Sequence, residues 1–359
     1  MGSFDFDALE DAEEKLSWAE HRIWAVSDIH TDFADNLSWV RALPPRPQDV
    51  LLVAGDVTHD LNIFRATFEI LTQRFGDVFF CPGNHDLWLH RSDGCIDSVE
   101  KLDALFALCA ELGVRTQAAV VHGVLVVPII SWYHGGFDTD PDVIDESLAP
   151  VEQCMADFFQ CKWPVGLSPH DGSVARCLDS RNCPLPSGAE GLPIISFSHF
   201  LPRRDLIPEK RFLFFPPLPK AVGSEELEAR VRALQPTVHV FGHTHYGWAA
   251  ELDGVRYLQA ALAYPQERVR RGFSLGLRGA DGQEQSPPVL VYTAGRAVAY
   301  TAFWSDYYAR HPRQPSDVRW AYRGGRDRDA VMHALRAIVE SGVPAEDAAI
   351  ERALEIHAS

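Results

Sequence analysis

The 359-residue chain carries 33 basic and 50 acidic side chains, a net charge of −17, with 46% hydrophobic and 23% charged residues. This is the balance of a packed globular protein, and it excludes duplex nucleic acid and anionic membrane surfaces as main partners, because both would be repelled. A small anionic substrate stays compatible, since bound cations can make one pocket positive inside a negative molecule.

Residues 1–20 are acidic and lack an apolar run, which predicts a helical segment rather than a secretory signal, and with it a cytoplasmic location. No window approaches the length of a membrane span. The cysteines (Cys81, Cys95, Cys109, Cys154, Cys161, Cys177, Cys183) are odd in number and form no C-x-x-C pair, so they read as reduced thiols.

Apolar runs at 23–27, 50–54 and 78–81 alternate with helical patterns, the signature of βαβ units. Leu61, Phe64, Phe68, Leu71 and Phe75 recur at three- and four-residue spacing, which predicts an amphipathic helix with Gly76 as its C-cap. A second helix is expected over 97–112, opened by Asp97 with Glu100 and closed by Gly113. The runs 118–121 and 124–130, joined at His122-Gly123, predict an antiparallel hairpin.

From 135 to 193 the periodicity fades, and nine of the thirty residues 164–193 are Pro or Gly. An insertion lying over or beside a site is expected there. Order returns with a strand at 194–198, a helix after Ser224 that stops before Pro236, and a strand at 238–241. A hairpin across Asp253-Gly254 joins 248–252 to 255–259. A strand at 289–292 follows, then two helical patterns from about 306, separated by 341–344. The domain reading is an N-terminal helical segment (1–20), a main domain (21–305) bearing the insertion (135–193), and a C-terminal helical tail (306–359).

Metal-competent residues stand directly after the apolar strands: Asp28-Ile29-His30, Gly55-Asp56, Gly83-Asn84-His85-Asp86, Ser198-His199 and Gly242-His243-Thr244-His245. Ligands gather at such strand ends in α/β sheets. Singly, each has an ordinary explanation, a turn or a hydrogen-bonded core histidine. Jointly, the His, Asp and Asn residues gathered in these positions point to a metal site.

The ordered set D-x-H, G-D, G-N-H-D, H and G-H-T-H resembles the calcineurin-like metallophosphoesterases over residues 23 to about 260. The residues alone support a mixed α/β class; the resemblance implies a four-layer α/β/β/α sandwich of two mixed sheets. It further implies that Asp28, His30 and His245 hold one metal and Asn84, His199 and His243 the other, with Asp56 bridging. That donor mixture suits two divalent transition metal ions such as Mn, Fe, Zn, Ni or Co better than Ca or Mg. A metal-bridging hydroxide would attack phosphorus, with His85 serving the leaving oxygen.

Where many relatives have an aspartate three residues after the bridging one, to orient the His85 equivalent, this chain has His59, followed by Asp60. The phosphate-binding arginine of protein serine/threonine phosphatases is also missing from Gly55-Asp56-Val57-Thr58-His59-Asp60. Arg203 and Arg204 become the next candidates for substrate oxygens, while Trp132, Tyr133 and His134 are candidate pocket walls. The expected activity is hydrolysis of a small phosphate ester, monoester or diester. The rivals are a nuclease or protein phosphatase, and, in another class, a non-catalytic binding scaffold on the same fold.

Overall fold

The computed structural model describes residues 21–322 together with 331, 333, 336 and 337. The expected segment 1–20 and the second helical pattern of the tail lie outside the described residues.

The first sheet is built from β1 (Arg22–Val26), β2 (Arg46–Ala54) and β3 (Phe75–Cys81), all parallel. The second is built from β4 (Ala119–Val121), β5 (Val124–Ile129), β6 (Ile194–Ser198), β7 (Val238–Phe241), β8 (Trp248–Leu252) and β9 (Val255–Gln259), in the order β4-β5-β6-β7-β9-β8. Its inner strands run parallel and the edge strands β4 and β8 antiparallel. A small third sheet joins β10 (Leu277–Arg278) to β11 (Glu284–Gln285) and to β14 (Thr301–Ala302), while β12 (Val289–Thr293) returns antiparallel beside β1 and carries β13 (Arg296–Ala297). The last strand, β14 (Thr301–Ala302), leads into a helix at Phe303–Arg310.

The two large sheets face one another through alternate residues of their strands. Ala25, Leu52, Phe79, Val126, Phe197 and Val240 share one buried cluster. Their neighbours Val26, Val53 and Phe80 point the other way, onto Phe64, Phe68 and Leu71 of the helix Leu61–Arg74. Side chains of a strand alternate faces, so a run that is apolar throughout can only be buried on both, and this produces the α/β/β/α layering. Among the described residues no helix is long and apolar enough to cross a membrane.

The hairpin turns form as the residues predict, with His122 and Gly123, and Asp253 and Gly254, all at positive φ. Other expectations are corrected. Gly76 is not a C-cap: the helix ends in extended backbone at Phe75 and the chain passes straight into β3. Within the first tail pattern a helix spans Phe303–Arg310 and stops before Pro312, which restricts the residue preceding it; residues 331, 333, 336 and 337 are helical, and the rest of that pattern beyond 322 lies outside the described residues. Helices at Ala34–Ala42 and Pro265–Leu275 were not expected at all.

The 135–193 segment is tied in along its length. It adds short helices at Val151–Cys154, Asp157–Gln160 and Ser173–Asp179, and it buries Phe137, Val151, Val174 and Leu178 in the main core. Asn182 brackets Ile130, accepting from its N–H and donating to its carbonyl, both at 2.8 Å.

Candidate metal centre

The strand ends that carry the motif residues converge, and the backbone there is contorted. Asp28, His30, Asp56, His243 and His245 all lie in the left-handed region, with φ of 53°, 45°, 57°, 76° and 52°. Each such residue costs on the order of 1–3 kcal/mol, which the surrounding packing must offset. The turns place Asp28 and His30 on the same side with Ile29 buried between them. A Cβ on Gly83 would collide with the Asp56 carboxylate, and one on Gly242 with that of Asp28, which explains the glycines preceding these motifs.

Asp56 sits between two groups of donors. Its Oδ1 lies 3.4 Å from His199 Nε2, and its Oδ2 lies 3.9 Å from both His30 Nε2 and His85 Nε2. On one side His245 Nε2 is 3.2 Å from both Asp28 Oδ1 and His30 Nε2. On the other, Asn84 Oδ1 is 3.0 Å from His199 Nε2 and from His243 Nδ1.

This second cluster tests whether a cation fits. His199 donates its Nδ1–H to the Ala54 carbonyl at 3.0 Å, and His243 donates its Nε2–H to the Ala221 carbonyl at 2.8 Å. Burial pushes His199 down to about 3 and also lowers His243, so both rings are neutral. A neutral imidazole has one N–H, so the nitrogens facing Asn84 carry lone pairs aimed at a carbonyl oxygen. Acceptors gathered in this way repel one another unless a positive ion lies among them.

Charge balance points the same way. Burial and the nearby Asp28 and Asp86 raise the Asp56 carboxyl well above its ordinary range. Among the described residues no Lys or Arg pairs with Asp28 or Asp56; their ionic neighbours are histidines. Burial alone would lower His245, but Asp28 and Glu267 flank the ring and lift it to about 9. Glu267 Oε2 accepts from His245 Nδ1 at 2.5 Å and Arg271 pairs with the other oxygen, so the ring presents Nε2 inward.

Asp86 staples the centre together. Its Oδ2 accepts from the N–H groups of Asp56 and Gly83, both at 2.8 Å, and its Oδ1 from those of Val57 at 2.9 Å and Thr58 at 3.1 Å. The expected result for Asp86→Asn follows from this count. One oxygen is exchanged for an NH2, two buried donors lose their acceptor, and stability falls by ~2–4 kcal/mol, measurable by urea denaturation of the chelator-treated chain. An unchanged unfolding midpoint would remove Asp86 from this role.

His85 is placed by other means than an aspartate. Its ring stacks on Trp88 with centroids 3.6 Å apart, and its Nε2 is 3.3 Å from the Tyr264 hydroxyl. Burial and the surrounding imidazoles hold it well below the ordinary histidine range. Asp60 does not take the missing position: its carboxylate caps the following helix, accepting from Asn62 and Ile63 N–H at 2.7 and 3.1 Å. His59 lies at the rim, its ring 5.9 Å from that of His90 and 6.2 Å from that of Trp88.

The weaker substrate candidates fall elsewhere. Trp132 is 1% exposed within an aromatic group with Tyr133, Trp163 and Phe200. Tyr133 is equally buried, stacked beside His243, with its hydroxyl bonded to Asp157. Tyr133 therefore packs against His243, and Trp132 lies behind it in the aromatic group, so both belong to the core of the centre and do not line an open pocket. His134 pairs with Glu225 at 2.5 Å. Arg203 is spent on Asp205 and Asp253 at 2.9 and 2.5 Å, and Arg204 is exposed on a short turn of helix. Trp88, Asp157, Tyr264 and Glu267 had been given no role from sequence. Only Glu267 had a visible signal, Pro265 at the first turn of a helix with an acid two residues on.

Two facing mixed sheets with this constellation at their strand ends define a metallophosphoesterase, and the chain belongs to the calcineurin-like phosphoesterase family, whose family model matches residues 21–247. It is a phosphoric ester hydrolase. One relative is the acyl-carrier-protein phosphodiesterase PptH of Mycobacterium tuberculosis, 26% identical over 265 residues that cover 70% of this chain and 81% of PptH. The crystal structure of phosphopantetheinyl hydrolase (PptH) from Mycobacterium tuberculosis aligns with a TM-score of 0.55 at 24% identity, over 70% of this chain and 93% of that one. This second likeness concerns the fold.

Proposed function

We propose that the chain hydrolyses a phosphodiester with two divalent transition metal ions, one held by Asp28, His30 and His245, the other by Asn84, His199 and His243, with Asp56 shared. The observation that carries this reading is the position of Asp56, whose two oxygens face different donor groups. Bound ions of this kind supply Lewis acidity and a water acidic enough to act as nucleophile near neutral pH.

The chain's own residues do the rest. Asp28 and Glu267 fix His245, and the Ala54 and Ala221 carbonyls fix the tautomers of His199 and His243. His85, neutral through burial, offers Nε2–H to the leaving oxygen, and the Tyr264 hydroxyl sets the angle of the ring. An ester oxygen of low acidity needs this help most.

For the substrate we propose a phosphopantetheinyl group carried on an acyl-carrier protein, on the likeness to PptH. This replaces the free small ester expected from sequence with a slender arm delivered by a protein, while the reacting end remains small enough for a buried centre. The net charge of −17 still argues against long polyanions.

The test is a metal-dependent panel containing a phosphopantetheinylated carrier protein, an aryl phosphodiester, an aryl phosphomonoester and duplex DNA. Release of phosphopantetheine, cleavage of the aryl diester in preference to the monoester, and no digestion of DNA are expected. Digestion of duplex DNA at matched phosphate would defeat the charge argument. A carrier protein left intact under conditions that cleave the aryl diester would defeat the substrate assignment.

A further inference from the structure

Asp157 opens the short helix Asp157–Gln160 in the 135–193 segment and is 3% exposed. Among the described residues its carboxylate forms no ion pair, and the three hydrogen bonds it accepts come from neutral donors. Its Oδ1 accepts from Asn84 Nδ2 at 2.8 Å and Trp88 Nε1 at 2.6 Å, and its Oδ2 from the Tyr133 hydroxyl at 2.9 Å. Removing a carboxylate from water without a cation beside it is unfavourable unless its oxygens are well occupied, and here they are.

Asn84 has two ways to lie. Its amide can turn either the carbonyl oxygen or the NH2 toward His199 and His243, and the two shapes are nearly the same. Local chemistry favours the NH2, because the facing nitrogens His199 Nε2 and His243 Nδ1 are lone pairs at 3.0 Å. The arrangement found is the opposite one. A turned amide would set its carbonyl against the Asp157 carboxylate and lose that bond, so Asp157 outweighs the two imidazoles.

We infer that Asp157 is the positioning residue that makes Asn84 a metal ligand, holding its carbonyl oxygen toward His199 and His243 and its NH2 away from them. The inference rests on the dimetal reading above and deepens it. It also gives the insertion a role at the centre itself, since an acceptor outside the ligand set decides whether one cation position exists. The same Asp157 oxygen holds Trp88, whose ring supports His85, so one carboxylate steadies a ligand and the group beside the leaving oxygen. With alanine at 157 the Asn84 amide turns over and presents NH2 groups where a cation would bind.

The experiment is cobalt binding to the chelator-treated full chain, read by elemental analysis and by the visible absorption of bound Co(II). The wild type is expected to take up two equivalents. Asp157→Ala should hold one tightly, with the second weakened by ~10–100-fold, the usual scale for losing a residue that orients a ligand. Asp157→Asn has the same shape and a carbonyl oxygen that can still accept from Asn84 and Trp88, so it should keep both. Asp157→Ala/Asn84→Asp should regain the second, because a carboxylate has no wrong way round. If circular dichroism shows that the alanine variant is unfolded, Asp157→Leu, which fills the space without accepting, is read in its place, alone and paired with Asn84→Asp. Two tight equivalents in the alanine or leucine variant, an equal loss in a folded Asp157→Asn, or no recovery in the double variant overturns the inference. A wild type that binds no cobalt overturns the dimetal reading instead.

Discussion

Replacing Asp56 with asparagine is expected to lower occupancy at both cation positions and to cut phosphodiester turnover by ~10³-fold or more. Asp56 presents Oδ1 toward His199 and Oδ2 toward His30 and His85, so each oxygen serves a different side. Asparagine keeps one oxygen and sets an NH2 where the other was, and an NH2 cannot coordinate. The backbone is not the cause of the loss, because Asn tolerates the left-handed conformation found at position 56 as well as Asp does. Lewis-acid stabilisation is worth several kcal/mol, and each ~1.4 kcal/mol is a factor of ten in rate. Metal analysis of the purified variant beside the wild type checks the first half and turnover under added Mn or Co the second. A variant that keeps two equivalents and normal turnover would show that Asp56 is not shared.

His85→Ala separates binding from chemistry. Metal content and fold should persist, while turnover falls by ~10²–10³-fold, the range for removing one preorganised hydrogen-bond donor to a developing oxyanion. Persistence is expected because the bond from position 85 to Asp56 is made by the backbone N–H, at 2.9 Å, and alanine retains it. The ring itself rests on the Trp88 stack, the edge of the His30 ring at 4.7 Å and the Tyr264 hydroxyl, and none of these needs it to stay in place. Using substrates of graded leaving-group acidity sharpens the reading: the loss should shrink as the leaving oxygen becomes more acidic and needs less help. A uniform loss across the series, or none, would return His85 to a structural part.

Much of this was legible along the chain. The apolar runs of β1, β2, β3, β5, β6 and β7 identified themselves because strands buried on both faces leave no polar register to blur them. The residues directly after them were equally plain, since a strand end is a local feature and a ligand there needs only its neighbours in sequence to be noticed. Asp28, His30, Asp56, Asn84, His199, His243 and His245 all belong to such short motifs. The glycines beside them read as turns, although the reason they are glycine, a neighbouring carboxylate where Cβ would stand, is visible only in space.

What the sequence could not say concerns residues whose meaning depends on partners far along the chain. Asp157 reaches Asn84 across 73 residues from a segment without periodicity, and Tyr264 reaches His85 across 179. Nothing in the local pattern of either marks it, because hydrogen bonds and ring contacts depend on the final positions of the side chains and leave no period behind. Asp60 shows the converse: it stood one place from an expected role and took an ordinary one, capping its own helix, since that bond lies within three residues of chain and costs little entropy to form. Trp132 likewise followed burial into the core. The proposed ligand types and their order were thus determined by the sequence itself. Which way the Asn84 amide lies and what supports His85 were decided by tertiary structure, because each depends on an acceptor or ring brought from a distant strand end or loop into a space only a few ångströms wide.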